Sequence, residues 1–124
     1  MQERRHFVRI NARLPVAYKA LQEEGQCWSV DLSLEGIGLV LKTQMGYGVP
    51  LELRIGLPDG QKPINALAKV FWQMESTPPA GDGGKQYRTG LMLTQMAPED
   101  RDRLNLFIVA FLKGLVPRPG PSQV

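Results

Sequence analysis

The chain has 124 residues, of which 43% are hydrophobic and 22% charged, a composition that fits one globular domain able to bury its own core. Fifteen Lys and Arg against 12 Asp and Glu give a net charge of +3, which is too small to indicate nucleic-acid binding by itself. A single Cys excludes an internal disulfide, and no run approaches the roughly 18 apolar residues of a membrane span, so we expect a cytoplasmic protein without membrane insertion.

Positive charge is concentrated at the start of the chain. Residues 1–19 contain one acid, Glu3, and five basic side chains: Arg4, Arg5, Arg9, Arg13 and Lys19. Residues 1–13 lack a sustained hydrophobic period, which predicts a flexible, largely extended arm. Such an arm is either a solvated tail or a segment that binds an anionic partner, and charge alone does not decide between them.

Hydrophobic alternation with a period of two predicts six short strands after this arm. We expect them at residues 15–21, 27–30, 36–41, 51–57, 64–74 and 87–94. Turn residues separate consecutive strands, as in Pro58-Asp59-Gly60, so neighbours in sequence are expected to pair antiparallel. A flexible loop is predicted at residues 76–85.

The period changes to that of a helix at Pro98, a residue suited to the first helical position. The predicted buried face of this helix consists of Leu104, Phe107, Ile108, Phe111, Leu112 and Leu115. Lys113 and Gly114 are typical of its end, and residues 115–124 are expected to form a disordered tail. The predicted fold is therefore mostly β, a six-stranded antiparallel, Greek-key-like β-barrel with one C-terminal amphipathic α-helix, over residues 14–114.

Candidate catalytic residues are few. His6 is the only His of the chain, so a His-based metal site is not expected. Cys27 lies in a predicted strand beside Trp28, where a buried, inert thiol is typical. The sequence contains no glycine-rich phosphate motif of the Walker or dinucleotide type. We therefore predict a protein that is not an enzyme and that has no metal or cofactor.

An arginine-bearing segment, Arg5-His6-Phe7-Val8-Arg9, is the first candidate for binding. A guanidinium group binds phosphate bidentately, and it also matches the O6 and N7 edge of guanine. Arg4 adds a third positive charge beside the pair formed by Arg5 and Arg9.

A polar turn, Asp31-Leu32-Ser33-Leu34-Glu35-Gly36, is the second candidate. Asp31 can accept hydrogen bonds from guanine N1 and N2, and Ser33 offers a hydroxyl group. Gly36 either supplies a positive φ or lets a ligand approach the backbone. By strand alternation we expect Asp31, Ser33 and Glu35 to point to one side, as a polar outer face. A turn in which Asp31 and Ser33 bond their own backbone is the alternative.

Together the two segments resemble the signature motifs of the PilZ domain, RxxxR and [D/N]xSxxG, both of which are complete here. The flanking residues agree, since Ile37-Gly38-Leu39 follows the second motif and Tyr87–Leu91 resembles the last strand of the family. The resemblance covers about residues 3–113 and implies a receptor for cyclic di-GMP. The ligand-binding residues that it implies are Arg4, Arg5, Arg9, Asp31, Ser33 and Gly36.

The resemblance also implies how the protein acts. Ligand binding orders the arm and changes the surface, and a partner protein reads that change. The expected partner is an unidentified effector in motility, exopolysaccharide or pilus control, and not a nucleic acid, and the expected assembly is a monomer or weak homodimer. Arg4 favours an intercalated dimer of cyclic di-GMP, since such a dimer carries four negative charges.

Two other functions stay open on the sequence. One is a PilZ domain that has lost ligand binding and only docks onto proteins. The other is a small barrel that binds single-stranded nucleic acid through aromatic side chains along a basic groove. Leu106 and Val109 lie off the predicted buried helix face, either as a partner or dimer contact or as an apolar fringe of the core.

Overall fold

The computed structural model describes residues 7–76 and 84–116. The described residues form β1 (Pro15–Ala20), β2 (Glu23–Leu32), β3 (Gly36–Leu41), β4 (Pro50–Ile55), β5 (Ile64–Ser76), β6 (Gln86–Met96) and α1 (Pro98–Leu112). This order confirms the predicted succession of six strands and one helix. Most of the predicted loop at 76–85 and of the predicted tail at 115–124 lies outside the described residues.

The six strands close into an antiparallel barrel in the order β1-β2-β3-β6-β5-β4. Strand β1 pairs with β4 to complete the closure, and β3 pairs with β6, so the connection from β3 to β4 crosses over as in a Greek key. Side chains alternate between the interior and the solvent, most regularly in β4, where Leu51, Leu53 and Ile55 are buried. The predicted fold class is therefore confirmed.

The chain packs on the barrel before its first strand begins. Ile10 pairs with Leu32 at the end of β2 through two backbone hydrogen bonds of 2.9 Å. Ile10, Ala12 and Leu14 are all buried in the core. These contacts fix the path of residues 10–14 across the end of the barrel. The division of the chain into an arm, a barrel domain and a tail stays a prediction.

Helix α1 packs on the barrel through its first three turns. Leu104, Phe107 and Ile108 are buried, as predicted, and Phe111 is half-buried. The prediction was wrong for Leu112 and Leu115, which are 57% and 72% exposed. Periodicity identifies an apolar face but not how far the surface beneath it extends, and here the helix passes beyond the barrel.

The helix ends where the sequence predicts. Gly114 has a φ of 72°, a conformation that glycine adopts without strain. The N–H of Gly114 donates to the carbonyl of Phe111, and that of Leu115 donates to the carbonyl of Ala110 at 2.9 Å. These bonds satisfy carbonyl groups of the last turn, which the helix itself leaves free.

Cys27 is a free, half-buried thiol on β2. Burial raises the pKa of Cys27 to about 11. Because the thiolate is the reactive form, this shift makes the side chain a poor nucleophile near neutral pH. The structural role predicted for Cys27 agrees with this environment.

Candidate functional site

The two signature motifs meet through one ion pair. Arg9 Nη1 donates to Asp31 Oδ1 at 2.9 Å, although the two residues are 22 apart in the sequence. The backbone pairing of Ile10 with Leu32, one residue further along each segment, brings the two side chains together. Both are partly buried, with 30% of the Arg9 side chain and 22% of the Asp31 side chain exposed. A guanidinium and a carboxylate are thus held side by side at the surface.

Two glycines of β3 form the floor beneath this pair. A Cβ atom on Gly38 would lie 2.6 Å from Asp31 Oδ1, and one on Gly36 would lie 3.3 Å from Arg9 Nη2. Gly36 does not have a positive φ. A positive φ is therefore not the role of Gly36. A side chain there would crowd the backbone carbonyl of Leu91, at 3.0 Å from its Cβ, as well as the guanidinium of Arg9.

Ser33 closes the polar turn. Its Oγ accepts hydrogen bonds from the backbone N–H groups of Glu35 at 3.1 Å and Gly36 at 3.2 Å. Its side chain is 1% exposed, so it does not form an outer face with Asp31 and Glu35 as the alternation predicted. The reason is that β2 ends at Leu32, so the period of two no longer applies at Ser33. The Ser33 side chain thus stabilises the turn by accepting hydrogen bonds from nearby backbone N–H groups.

Arg9 keeps hydrogen-bonding capacity beyond the ion pair. A guanidinium carries five N–H donors, and the pair with Asp31 uses one of them. Nε of Arg9 is buried and has no hydrogen-bond partner within the described ranges. The pair with Asp31 therefore leaves other N–H donors of Arg9 unused among the described residues. Arg4 and Arg5, the other two predicted arginines, lie outside the described residues.

A groove opens on the barrel along strand β2. It has a volume of about 790 Å³, and Val30, the neighbour of Asp31, is part of its wall. Trp28 provides an aromatic surface in the groove, and Arg13 and Lys42 provide positive charge. The groove does not include Arg9 or Asp31 themselves. Sequence reasoning had singled out neither Arg13 nor Lys42 as a site residue.

Trp72 is a further aromatic group close to the glycine floor. Gly38 pairs with Gly90 on β6, and Gly90 pairs with Trp72 on β5. The indole ring lies directly over Gly90, where any side chain would collide with it. Trp72 is still 44% exposed, which is high for so large an apolar side chain. Glycines on β3 and β6 thus form a flat surface between the Arg9–Asp31 pair and an exposed indole.

These groups suit an anionic ligand with planar rings. Arginine supplies phosphate and guanine donors, Asp31 supplies an acceptor, and exposed indole rings supply stacking surfaces. Within residues 7–76 and 84–116 there is no group of three or more His, Cys, Asp or Glu that could hold a metal ion. In the same part of the chain, no helix has both the length and the apolar character that a membrane span requires.

Comparison with protein families gives one match, to the PilZ domain over residues 3–110. A comparison with curated proteins gives no match. Among solved structures, the Bacillus subtilis inhibitor of motility MotI/DgrA is 27% identical with a TM-score of 0.70, and the alignment covers 90% of this chain and 53% of that one. The chain thus spans about half the length of MotI/DgrA.

Two further structures share the fold at lower identity. The PilZ domain of Escherichia coli YcgR, solved with c-di-GMP, is 15% identical with a TM-score of 0.65, and the alignment covers 90% of this chain and 95% of that one. The K. pneumonia MrkH–c-di-GMP complex is 15% identical with a TM-score of 0.67, with 91% of this chain and 54% of that one covered.

Proposed function

Since the chain belongs to the PilZ domain family, we propose that it is a receptor for the bacterial second messenger cyclic di-GMP. The observation that carries this proposal is the ion pair between Arg9 and Asp31, which joins the two motifs in one site. Solved relatives of this fold bind the same nucleotide, as the c-di-GMP complexes of the YcgR PilZ domain and of MrkH illustrate.

Some residues of the site contribute charge to ligand binding, and others contribute the shape of the surface. Arg9, together with Arg4 and Arg5, binds phosphates and the Hoogsteen edge of guanine. Asp31 accepts from guanine N–H groups, while Ser33 and Gly36 shape the surface on which the ligand lies. The Arg9–Asp31 pair orients both side chains before the ligand arrives, which lowers the entropy lost on binding.

The proposed output is a change of surface that a partner protein reads. An anionic ligand that binds arginines of the arm orders this segment, because charge-assisted hydrogen bonds oppose its conformational entropy. We propose that the receptor acts without catalysis or a cofactor, in the cytoplasm, as a monomer or weak homodimer. Its partner belongs to motility, exopolysaccharide or pilus control, and among the structural relatives MotI/DgrA is an inhibitor of motility.

Calorimetric titration of the full chain with cyclic di-GMP tests the proposal. We expect submicromolar affinity that weakens as salt is raised, since the ligand is dianionic. Two ligands per chain are expected if Arg4 favours the intercalated dimer, and a value near one would refute that part. Absence of binding would support a domain that only docks proteins. Equal affinity for an unrelated single-stranded oligonucleotide would instead support a nucleic-acid-binding barrel.

Gly38→Ala is expected to weaken cyclic di-GMP binding roughly tenfold without unfolding the protein. The new Cβ would lie 2.6 Å from Asp31 Oδ1, so the carboxylate must move away from its place beside Arg9. The fold is spared because the tip of a side chain can give way, unlike backbone. Titration and thermal unfolding of the variant check both expectations.

Gly46→Ala is the matched control, since a Cβ there meets no atom within 4 Å and the residue has no positive φ. It should bind like the wild type. If Gly38→Ala binds equally well, the position of the Asp31 carboxylate is not important for the ligand.

A further inference from the structure

Arg101 lies where helix α1, the arm and the polar turn meet. Its Cζ is 5.5 Å from the ring centroid of Phe7, the middle residue of the RxxxR motif. Its Nη1 also donates to the backbone carbonyl of Leu34, inside the [D/N]xSxxG motif, at 3.4 Å. A single side chain from a third element of the fold therefore contacts both signature motifs.

The charge of Arg101 is available for these contacts. Among the described residues, Arg101 forms no ion pair with a carboxylate. Arg103, two residues along the same helix, differs in this respect, because it is bound by Asp59 at 2.9 Å and by Asp100 at 3.4 Å. An unpaired guanidinium near an aromatic ring is attracted to the electrons of the ring face. Arg101 thus attracts the arm, whereas Arg103 forms an ion pair with the turn that contains Asp59.

We propose that Arg101 is a positioning residue of the cyclic di-GMP site, which holds the arm over the polar turn before the ligand binds. The inference rests on the proposed function and extends it to helix α1. Affinity falls when only a fraction of the molecules has the arm in place, because the remainder must order it during binding. Arg101 acts through Phe7 and does not itself bind the ligand.

Calorimetric titration with cyclic di-GMP distinguishes the positioning role of Arg101 from a general effect of positive charge on helix α1. Arg101→Gln should raise the Kd about fivefold, the size that an exposed cation–π contact supports. Arg101→Lys keeps a cation near the ring and should restore most of the affinity. Arg103→Gln removes the same charge from the same helix and should bind within about twofold of the wild type. Tighter binding by Arg101→Gln would overturn the proposal, since it would mean that the contact holds the arm away from the ligand.

A double-mutant cycle with Phe7→Leu tests whether Arg101 acts through the ring. If it does, the double variant should bind no more weakly than Arg101→Gln alone, because the second change removes a contact that is already lost. If the two losses multiply, Arg101 acts independently of Phe7 and the proposal that it positions the arm through this ring is wrong.

Amide hydrogen exchange of the ligand-free protein gives a test that does not depend on cyclic di-GMP. The amide of Ile10 donates to Leu32 and reports how firmly the arm is attached to the barrel. Arg101→Gln should speed its exchange about fivefold, and unchanged exchange would contradict the proposal. A wild-type protein that does not bind cyclic di-GMP would refute the proposed function, whereas this exchange measurement would still decide whether Arg101 positions the arm.

Discussion

Arg9→Ala is expected to weaken the binding of cyclic di-GMP at least about a hundredfold while leaving the barrel folded. The guanidinium of Arg9 joins the arm to Asp31, and hydrogen bonds to charged groups contribute roughly 1.5–3 kcal/mol each. Its removal also leaves the Asp31 carboxylate unpaired beside an anionic ligand. A loss of about 3 kcal/mol corresponds to more than a hundredfold in Kd. Calorimetric titration of both proteins at one salt concentration measures the effect.

Arg54→Ala is the matched control for Arg9→Ala. It removes the same charge from β4, on an exposed side chain that has no ion pair in the described part of the protein. We expect its Kd to stay within about threefold of the wild type, since a single surface charge contributes little. Equal losses in the two variants would mean that general positive charge, and not the Arg9–Asp31 pair, attracts the ligand.

The sequence was sufficient to predict the barrel and the meeting of the two motifs. Strict alternation, as in Leu51–Ile55, identifies half-buried strands because one face must be apolar. The change of period at Pro98 identifies the helix, because a helix that packs on a barrel must also have one apolar face. The resemblance of the two motifs to a known family then predicted that Arg9 and Asp31 belong to one site, and the structure brings them within 2.9 Å.

Features that depend on three-dimensional packing could not be predicted from the sequence. Gly38 has the pattern of an ordinary strand glycine, and its role as the floor under Asp31 follows only from their distance in space. The burial of Ser33 depends on where β2 ends, and strand ends leave no periodic signal. The contacts of Arg101 join positions 67 residues apart in the case of Leu34, and no local pattern predicts such a pair.

Ser29→Ala is expected to lower the free energy of unfolding by about 3 kcal/mol, the largest effect on stability that we predict for a polar side chain. Ser29 is 1% exposed and lies at the centre of a small hydrogen-bond network. Its Oγ accepts from the backbone N–H of Leu14 at 2.8 Å and donates to the carbonyl of Ala12 at 2.5 Å. Alanine would leave both backbone groups buried without a partner, at a cost of roughly 1–3 kcal/mol each.

Denaturant unfolding followed by tryptophan fluorescence measures this loss, with Ser76→Ala at the end of β5 as the control. Ser76 makes no side-chain hydrogen bond in the described part of the chain, so its replacement should change stability by less than about 0.5 kcal/mol. An equally small effect at Ser29 would mean that water or a backbone shift satisfies Leu14 and Ala12. Because residues 12–14 lead directly to Ile10 and Arg9, a real loss at Ser29 should also weaken cyclic di-GMP binding. The stability of the protein and its affinity for the ligand would then both depend on the buried hydroxyl group of Ser29.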